Sequence, residues 1–251
     1  MRACQIAVSP CSNPEMNLDE VLSAYSSLGY SKFEVFTSWA SSAVDYHRSP
    51  DVYLEKGCRF DMNFTSMHLP PVSAECPEAT LQEAYTAAQF AEAIGVEVVL
   101  YKASDRSTYI EAAEPFLNVV ENLSVIPVIQ NHYGTPLSTL DDVKEVFEAI
   151  GDPRLYSLLE VGHFHSAGVT WREAAEYLGD SIALVHIKDQ IGQQSVPFGK
   201  GEIDLPGLFN YLDDRDYRGR YVVEMEVTDD ENTLYYLEQA RHYVMEFCEE
   251  M

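Results

Sequence analysis

A series of apolar runs in this chain ends in side chains able to move protons or hold a cation. The runs deliver Glu34 (with Trp39 beyond it), His68, Tyr101-Lys102, Gln130-Asn131-His132, Glu160-x-x-His163-x-His165, His186-x-Lys188-Asp189 and Glu224-x-Glu226. Ionisable groups at the tips of apolar segments are costly unless paired, hydrated or bound to a cation. Carboxylate, imidazole and amide oxygen drawn to one point from several segments make a donor set for a hard or borderline divalent ion. Single members of the series admit plainer roles: His132, His165 and Glu226 as hydrogen-bonders on a rim, Lys102 as the counter-charge of a carboxylate. Glu160, His186 and Glu224 resist that reading, because they occupy matching positions at the ends of consecutive runs.

These ends meet only in a fold that turns them to one face. The period of the chain predicts strands at 3–8, 32–36, 62–67, 96–101, 125–130, 155–160, 182–187 and 220–225. Several are apolar almost throughout, as strands covered on both faces must be. Amphipathic stretches lie between them. Leu81, Ala84, Ala88, Ala91 and Ile94 form one stripe closed by Gly95; Leu140, Val143, Phe147 and Ile150 form another closed by Gly151. Thr170-x-x-Glu173 reads as a capping box with Gly179 at the far end, and Thr228-x-x-Glu231 as the opening of the last helix. Pro115 predicts a break in the fourth helix. Eight strands alternating with helices, without a long linker, argue for one α/β domain over 1–251, a single (β/α)₈ TIM barrel. An open doubly wound sheet would carry a glycine-rich loop after strand one, and Ser9-Pro10-Cys11-Ser12-Asn13-Pro14 is not one. In a closed barrel the chemistry sits at the C-terminal ends of the strands, where the series above lies.

Composition narrows the partners. With 41 acidic and 16 basic residues the formal charge is −25, and no Lys/Arg cluster interrupts it, so nucleic acid is not expected to bind. No apolar run reaches the roughly 18 residues of a membrane span, and the opening Met1 to Val8 reads as a strand rather than a leader. The five cysteines are scattered and form no C-x-x-C pair, which predicts reduced thiols and a cytoplasmic setting.

Beyond these residue types, whole motifs resemble the xylose isomerase-like sugar phosphate isomerase/epimerase family. They are Val185-His186-Ile187-Lys188-Asp189, then Pro197-x-Gly199-x-Gly201-x-Ile203-Asp204, then Tyr217-x-Gly219 leading to Glu224. Upstream, Leu159-Glu160-Val161-Gly162-His163, Gln130-Asn131-His132 and Phe33-Glu34-Val35 are similar to its sixth, fifth and second strands. The resemblance implies one divalent ion (Mn, Mg, Co or Zn) held by Gln130, Glu160, His186 and Glu224, with His163 against a sugar. Three departures matter. The family usually has glutamate where this chain has Gln130, and aspartate where it has Glu160; an arginine expected after the seventh strand is replaced by Gly192-Gln193-Gln194. An amide can offer an oxygen to a metal but cannot act as a base.

The expected chemistry is therefore metal-assisted enolisation of a small sugar or sugar acid by an isomerase or epimerase, in a chain that can form a homo-oligomer. Glu224 would take the proton, Lys188 or Lys102 would help hold the enediolate charge, and Glu34, Trp39, His68 and His163 would position the substrate. A dehydratase or other lyase starts from the same proton abstraction. A sugar-binding barrel that has lost activity is the non-catalytic alternative, favoured by Gln130. An apurinic-site nuclease is disfavoured by Tyr101-Lys102 on strand four and by the charge.

Overall fold

The computed structural model describes residues 1–227 and 229–248. Eight parallel strands close into a barrel: β1 (Ile6–Val8), β2 (Lys32–Phe36), β3 (Asn63–His68), β4 (Val98–Leu100), β5 (Ile126–Gln130), β6 (Tyr156–Glu160), β7 (Ile182–Ile187) and β10 (Arg220–Val223). They lie in chain order around the ring, with β10 closing on β1. A two-stranded hairpin, β8 (Asp189–Ile191) and β9 (Gln194–Val196), projects after β7. The helices are α1 (Leu18–Ser27), α2 (Asp51–Phe60), α3 (Pro77–Ala93), α4 (Arg106–Val120), α5 (Leu140–Ile150), α6 (Val161–Ser166), α7 (Trp171–Leu178), α8 (Leu205–Asp213) and α9 (Thr233–Met245).

Every expected strand is present, most of them shorter than their apolar runs. Ala3–Gln5 form a 3₁₀ turn instead of the start of β1. At the other end of the ring, the Glu224 N–H still bonds the Ile187 carbonyl at 3.0 Å, so the ladder outlasts β10 by one residue. Thr170 and Glu173 cap α7 reciprocally, and Gly151 ends α5 in the left-handed conformation a side chain would strain. Two expectations change. Helix α4 is not split by Pro115: the proline lies on its exposed face, where water can satisfy the carbonyl freed by the missing N–H. The last helix begins at Thr233, after a 3₁₀ turn at Asp230–Asn232; Thr228 lies outside the described residues.

Ala7, Val98, Leu100, Val128, Leu158, Leu184 and Val222 fill the barrel interior. A larger apolar layer packs the outer strand faces against the helices. Each fully buried Val or Leu contributes about 1.5–3 kcal/mol relative to exposure. This plug also sets what stands above it. Side chains alternate along a strand, so the residue two beyond each plug residue faces the barrel axis one layer nearer the mouth. Those residues are Ser9, Lys102, Gln130, Glu160, His186 and Glu224.

Candidate functional site

Two register shifts decide which members of this layer face one another. Between β6 and β7, Ser157 pairs with Ile182 but Leu158 with Leu184, so the unmatched Ala183 brings Glu160 opposite His186. Without it Glu160 would stand beside Val185, whose side chain points to the helices. Between β2 and β3 the unmatched Thr65 likewise sets Glu34 opposite Ser66. Such bulges re-aim side chains at barrel rims.

Glu34 lies fully buried and links three strands. Ser66 Oγ donates to its Oε1 at 2.9 Å, His186 Nε2 lies 3.0 Å from the same oxygen, and His68 Nε2 lies 3.4 Å from Oε2. The other nitrogen of His186 lies 3.1 Å from Glu224 Oε1, so the ring bridges two carboxylates across the barrel. Burial opposes charge on His186, but Glu34 and Glu224 outweigh it and push its pKa up to about 10. Burial would raise the Glu34 carboxyl, and the His186 and His68 rings instead hold it below its ordinary range. His68 stays uncharged: burial, opposed by Glu34 and aided by the Lys102 ammonium that donates to its Nδ1 at 3.2 Å, lowers it to about 4.

On the β6–β10 side a lysine occupies the centre. Lys188, only 1% exposed, places Nζ 2.8 Å from Glu224 Oε2, 2.6 Å from Glu226 Oε2 and 3.6 Å from Glu160 Oε1. Burial opposes its charge, and the three carboxylates outweigh burial and raise its pKa well above normal. Burial would also raise Glu224, but Lys188 and His186 hold it well below the usual carboxylate range. Glu160 goes the other way, raised by burial and then by Glu224 despite Lys188. It caps α6, its two oxygens accepting from the backbone N–H groups of Gly162 (3.2 Å) and His163. Asn131 clamps its backbone with a reciprocal pair, Nδ2 to the Glu160 carbonyl at 3.0 Å and Glu160 N–H to Oδ1 at 3.1 Å.

Of the residues expected from sequence, Glu34, His68, Lys102, Glu160, His186, Lys188 and Glu224 join one connected polar network. Gln130 points into the same layer at the end of β5, half-buried. His163 sits above Glu160 with its ring 3.8 Å from that of His132; burial, then the Lys188 charge, lowers it to about 3. Trp39 stands at the mouth, 61% exposed, its ring 5.2 Å from Phe36, which packs edge-on against His68 at 4.2 Å. Its φ of 57° is strained for so bulky a residue, as is common where a loop serves binding.

Three positioning residues had weaker sequence signals. Asn131 lay inside the quoted fifth-strand motif without a role. Ser66 was invisible without the register. Asp189 draws in the Gly199–Ile203 loop by accepting from Gly199 N–H (2.9 Å), Gly201 N–H (2.8 Å) and Ile203 N–H (3.3 Å). An acid followed by two nearby glycines was its signal, since a Cβ on Gly201 would stand 2.1 Å from Asp189 Oδ1.

Two sets of donors can be compared as ion sites. Glu34, His68 and His186 offer ligand atoms within 4.8 Å of one another, and Glu34 Oε2 and His68 Nε2 are buried without a well-formed hydrogen bond. That group fits a divalent ion, which would displace the second proton of His186. The set of Gln130, Glu160, His186 and Glu224 fits less well, because an ammonium already stands between its carboxylates. A divalent ion about 4 Å from a fixed unit positive charge would meet roughly 8 kcal/mol of repulsion at an effective dielectric of 20.

The lysine stem is held by Gly162, where an added Cβ would lie 2.4 Å from Lys188 Cγ. Gly162→Ala should therefore cost about 1–3 kcal/mol in urea unfolding, the range for an overpacked site. An unchanged midpoint would mean that the lysine can move aside.

A family model described as xylose isomerase-like TIM barrel matches residues 22–244. Among curated proteins, an inosose dehydratase of Clostridium perfringens is 27% identical over 140 residues, 47% of this chain and 47% of that protein. The match thus spans about half the length of that relative. A putative L-ribulose-5-phosphate 3-epimerase of Haemophilus influenzae is 23% identical over 246 residues, covering 94% of this chain and 86% of that one. Similar solved folds include an IolI protein with a bound zinc atom (TM-score 0.79, 15% identity, 97% of each chain). A probable 3-DHS dehydratase, AsbF, of Bacillus anthracis is another (TM-score 0.79, 13% identity, 98% of this chain and 99% of that one). Among the described residues no helix is long and apolar enough to cross a membrane.

Proposed function

The chain belongs to the xylose isomerase-like TIM barrel family, and on that footing we propose that it is a proton-transfer enzyme acting on a small polyhydroxy ketone or aldehyde. The reaction is isomerisation or epimerisation of a sugar, or dehydration of a sugar-like ring ketone, reactions that share one first step. The observation that carries the proposal is the buried pair of Lys188 Nζ and Glu224 Oε2, 2.8 Å apart at the centre of the mouth.

In the resting site Lys188 and His186 hold Glu224 as a weak base. A substrate carbonyl oxygen that accepts from Lys188 weakens that pairing and returns basicity to Glu224. Glu224 then takes the proton from the carbon beside the carbonyl, the C–H electron pair becomes the new C=C bond, and the carbonyl π pair moves onto oxygen. The Lys188 ammonium faces that oxygen charge. In an isomerisation protonated Glu224 returns the proton one carbon along, while the neighbouring hydroxyl passes its proton to the former carbonyl oxygen and becomes the new carbonyl; in a dehydration the carbonyl re-forms and the hydroxyl on the next carbon leaves as water with the Glu224 proton. Gln130 cannot serve as a second base, so one-base routes fit better than epimerisation by two opposed carboxylates. His163, His132 and Lys102 offer hydrogen bonds to substrate hydroxyls, and Trp39 offers an apolar wall to a ring face. A divalent ion (Mn, Mg, Co or Zn) held by Glu34, His68 and His186 would supply Lewis-acid polarisation of a substrate oxygen.

Incubation with a panel of ketoses and ring ketones in D₂O, followed by proton NMR, tests the reading. The expected result is loss of one carbon-bound proton signal, or appearance of an unsaturated product, for at least one compound. Binding of these compounds with neither exchange nor elimination would identify a sugar-binding barrel instead.

A further inference from the structure

Four features around Lys188 bear on which cation this site was built for. The ammonium is buried and within 3.6 Å of three carboxylates from β6 and the β10 end. Its stem is wedged against Gly162, which has no room for a Cβ. Both Glu160 oxygens are already engaged by backbone N–H groups of α6. The strand-five position in this layer, Gln130, carries a neutral amide. A monovalent cation balances fewer carboxylates than a divalent one, and an amide at 130 matches that smaller charge.

We propose that the Lys188 ammonium permanently takes the place of a divalent ion between Glu160 and Glu224, and that this chain binds its divalent ion at Glu34, His68 and His186. The tethered charge then serves the substrate oxygen on the β6–β10 side, while the ion lies on the β2–β3 side, with His186 between the two. Charge burial opposes any swing of Lys188 out of the site: leaving would strand Glu160 without its ammonium and leave Glu224 with His186 alone. The inference concerns which cation each cluster faces, so it stands or falls independently of the reaction proposed above.

Zinc chloride titrated calorimetrically into the full chain stripped with EDTA, with bound zinc counted by mass spectrometry, tests it without any activity measurement. The wild type should take one equivalent. His68→Gln should weaken that binding by more than about tenfold, since even an outer-shell partner is worth about 10–100-fold, whereas Glu160→Gln should change it by less than about threefold. Lys188→Met, if folded by circular dichroism, should take a second equivalent that Lys188→Met/Glu160→Gln loses. If Lys188→Met does not fold, the His68→Gln and Glu160→Gln pair decides alone. Wild-type protein that binds no zinc, or zinc lost in Glu160→Gln and kept in His68→Gln, overturns the proposal.

Discussion

Glu224→Gln should lower turnover by about 10²- to 10⁴-fold, the usual worth of a positioned general base, with little change in substrate affinity. The substitution keeps the shape of a side chain that is 5% exposed and keeps an oxygen for Lys188 or His186. What it removes, on the proposed reading, is the carboxylate that accepts the carbon-bound proton beside the ammonium. Solvent-deuterium exchange should fall in step with turnover, because both need the same proton abstraction. Exchange that survives in Glu224→Gln would move the base elsewhere, and Glu160, whose pKa is raised by burial and by Glu224, would be the residue to test next.

The largest effect on stability is expected at Glu34. In metal-free protein Glu34→Gln should destabilise the fold by about 3–5 kcal/mol, the cost of breaking a buried charge pair from one side. His186 is buried with no exposed surface and carries its proton through contacts with Glu34 and Glu224; an amide at 34 supplies one of those partners with no charge. Ser66→Ala, which removes only a neutral donor 2.9 Å from Glu34, should cost about 1 kcal/mol and serves as the control. The pH dependence gives a second readout. A group whose pKa rises on folding stabilises fully below its unfolded value, about 6.5 for histidine. That contribution fades as pH climbs towards the folded value, here about 10. Urea midpoints of metal-free wild type should therefore lose a His186 contribution across that window, and Glu34→Gln should lose less. Equal losses in both would mean that Glu34 does not set the charge of His186.

How far the sequence could be read follows from the range of the forces involved. The barrel was legible because strands covered on both faces are apolar throughout and helices repeat at their own period, both local properties of the chain. Glu160, His186 and Glu224 were legible for a related reason: each follows a buried strand residue by two, and the period of a strand is fixed. Pro115 misled because its missing hydrogen bond is harmless on a wet helix face, and exposure is not a local property.

Tertiary structure alone decided the partners. Thr65 and Ala183, unremarkable in sequence, shift two registers and thereby choose who faces Glu34 and Glu160. His186 meets Glu34 across 152 residues of chain, so nothing local could pair them. Read from sequence, Glu34 and His68 were substrate holders; the fold groups their ligand atoms with His186 within 4.8 Å. Lys188 shows the difference most clearly. Its alternation along β7 predicts that it points inward, but only the closed ring brings three carboxylates from β6 and β10 around its ammonium, because charge balance inside a barrel is settled between strands and not along them.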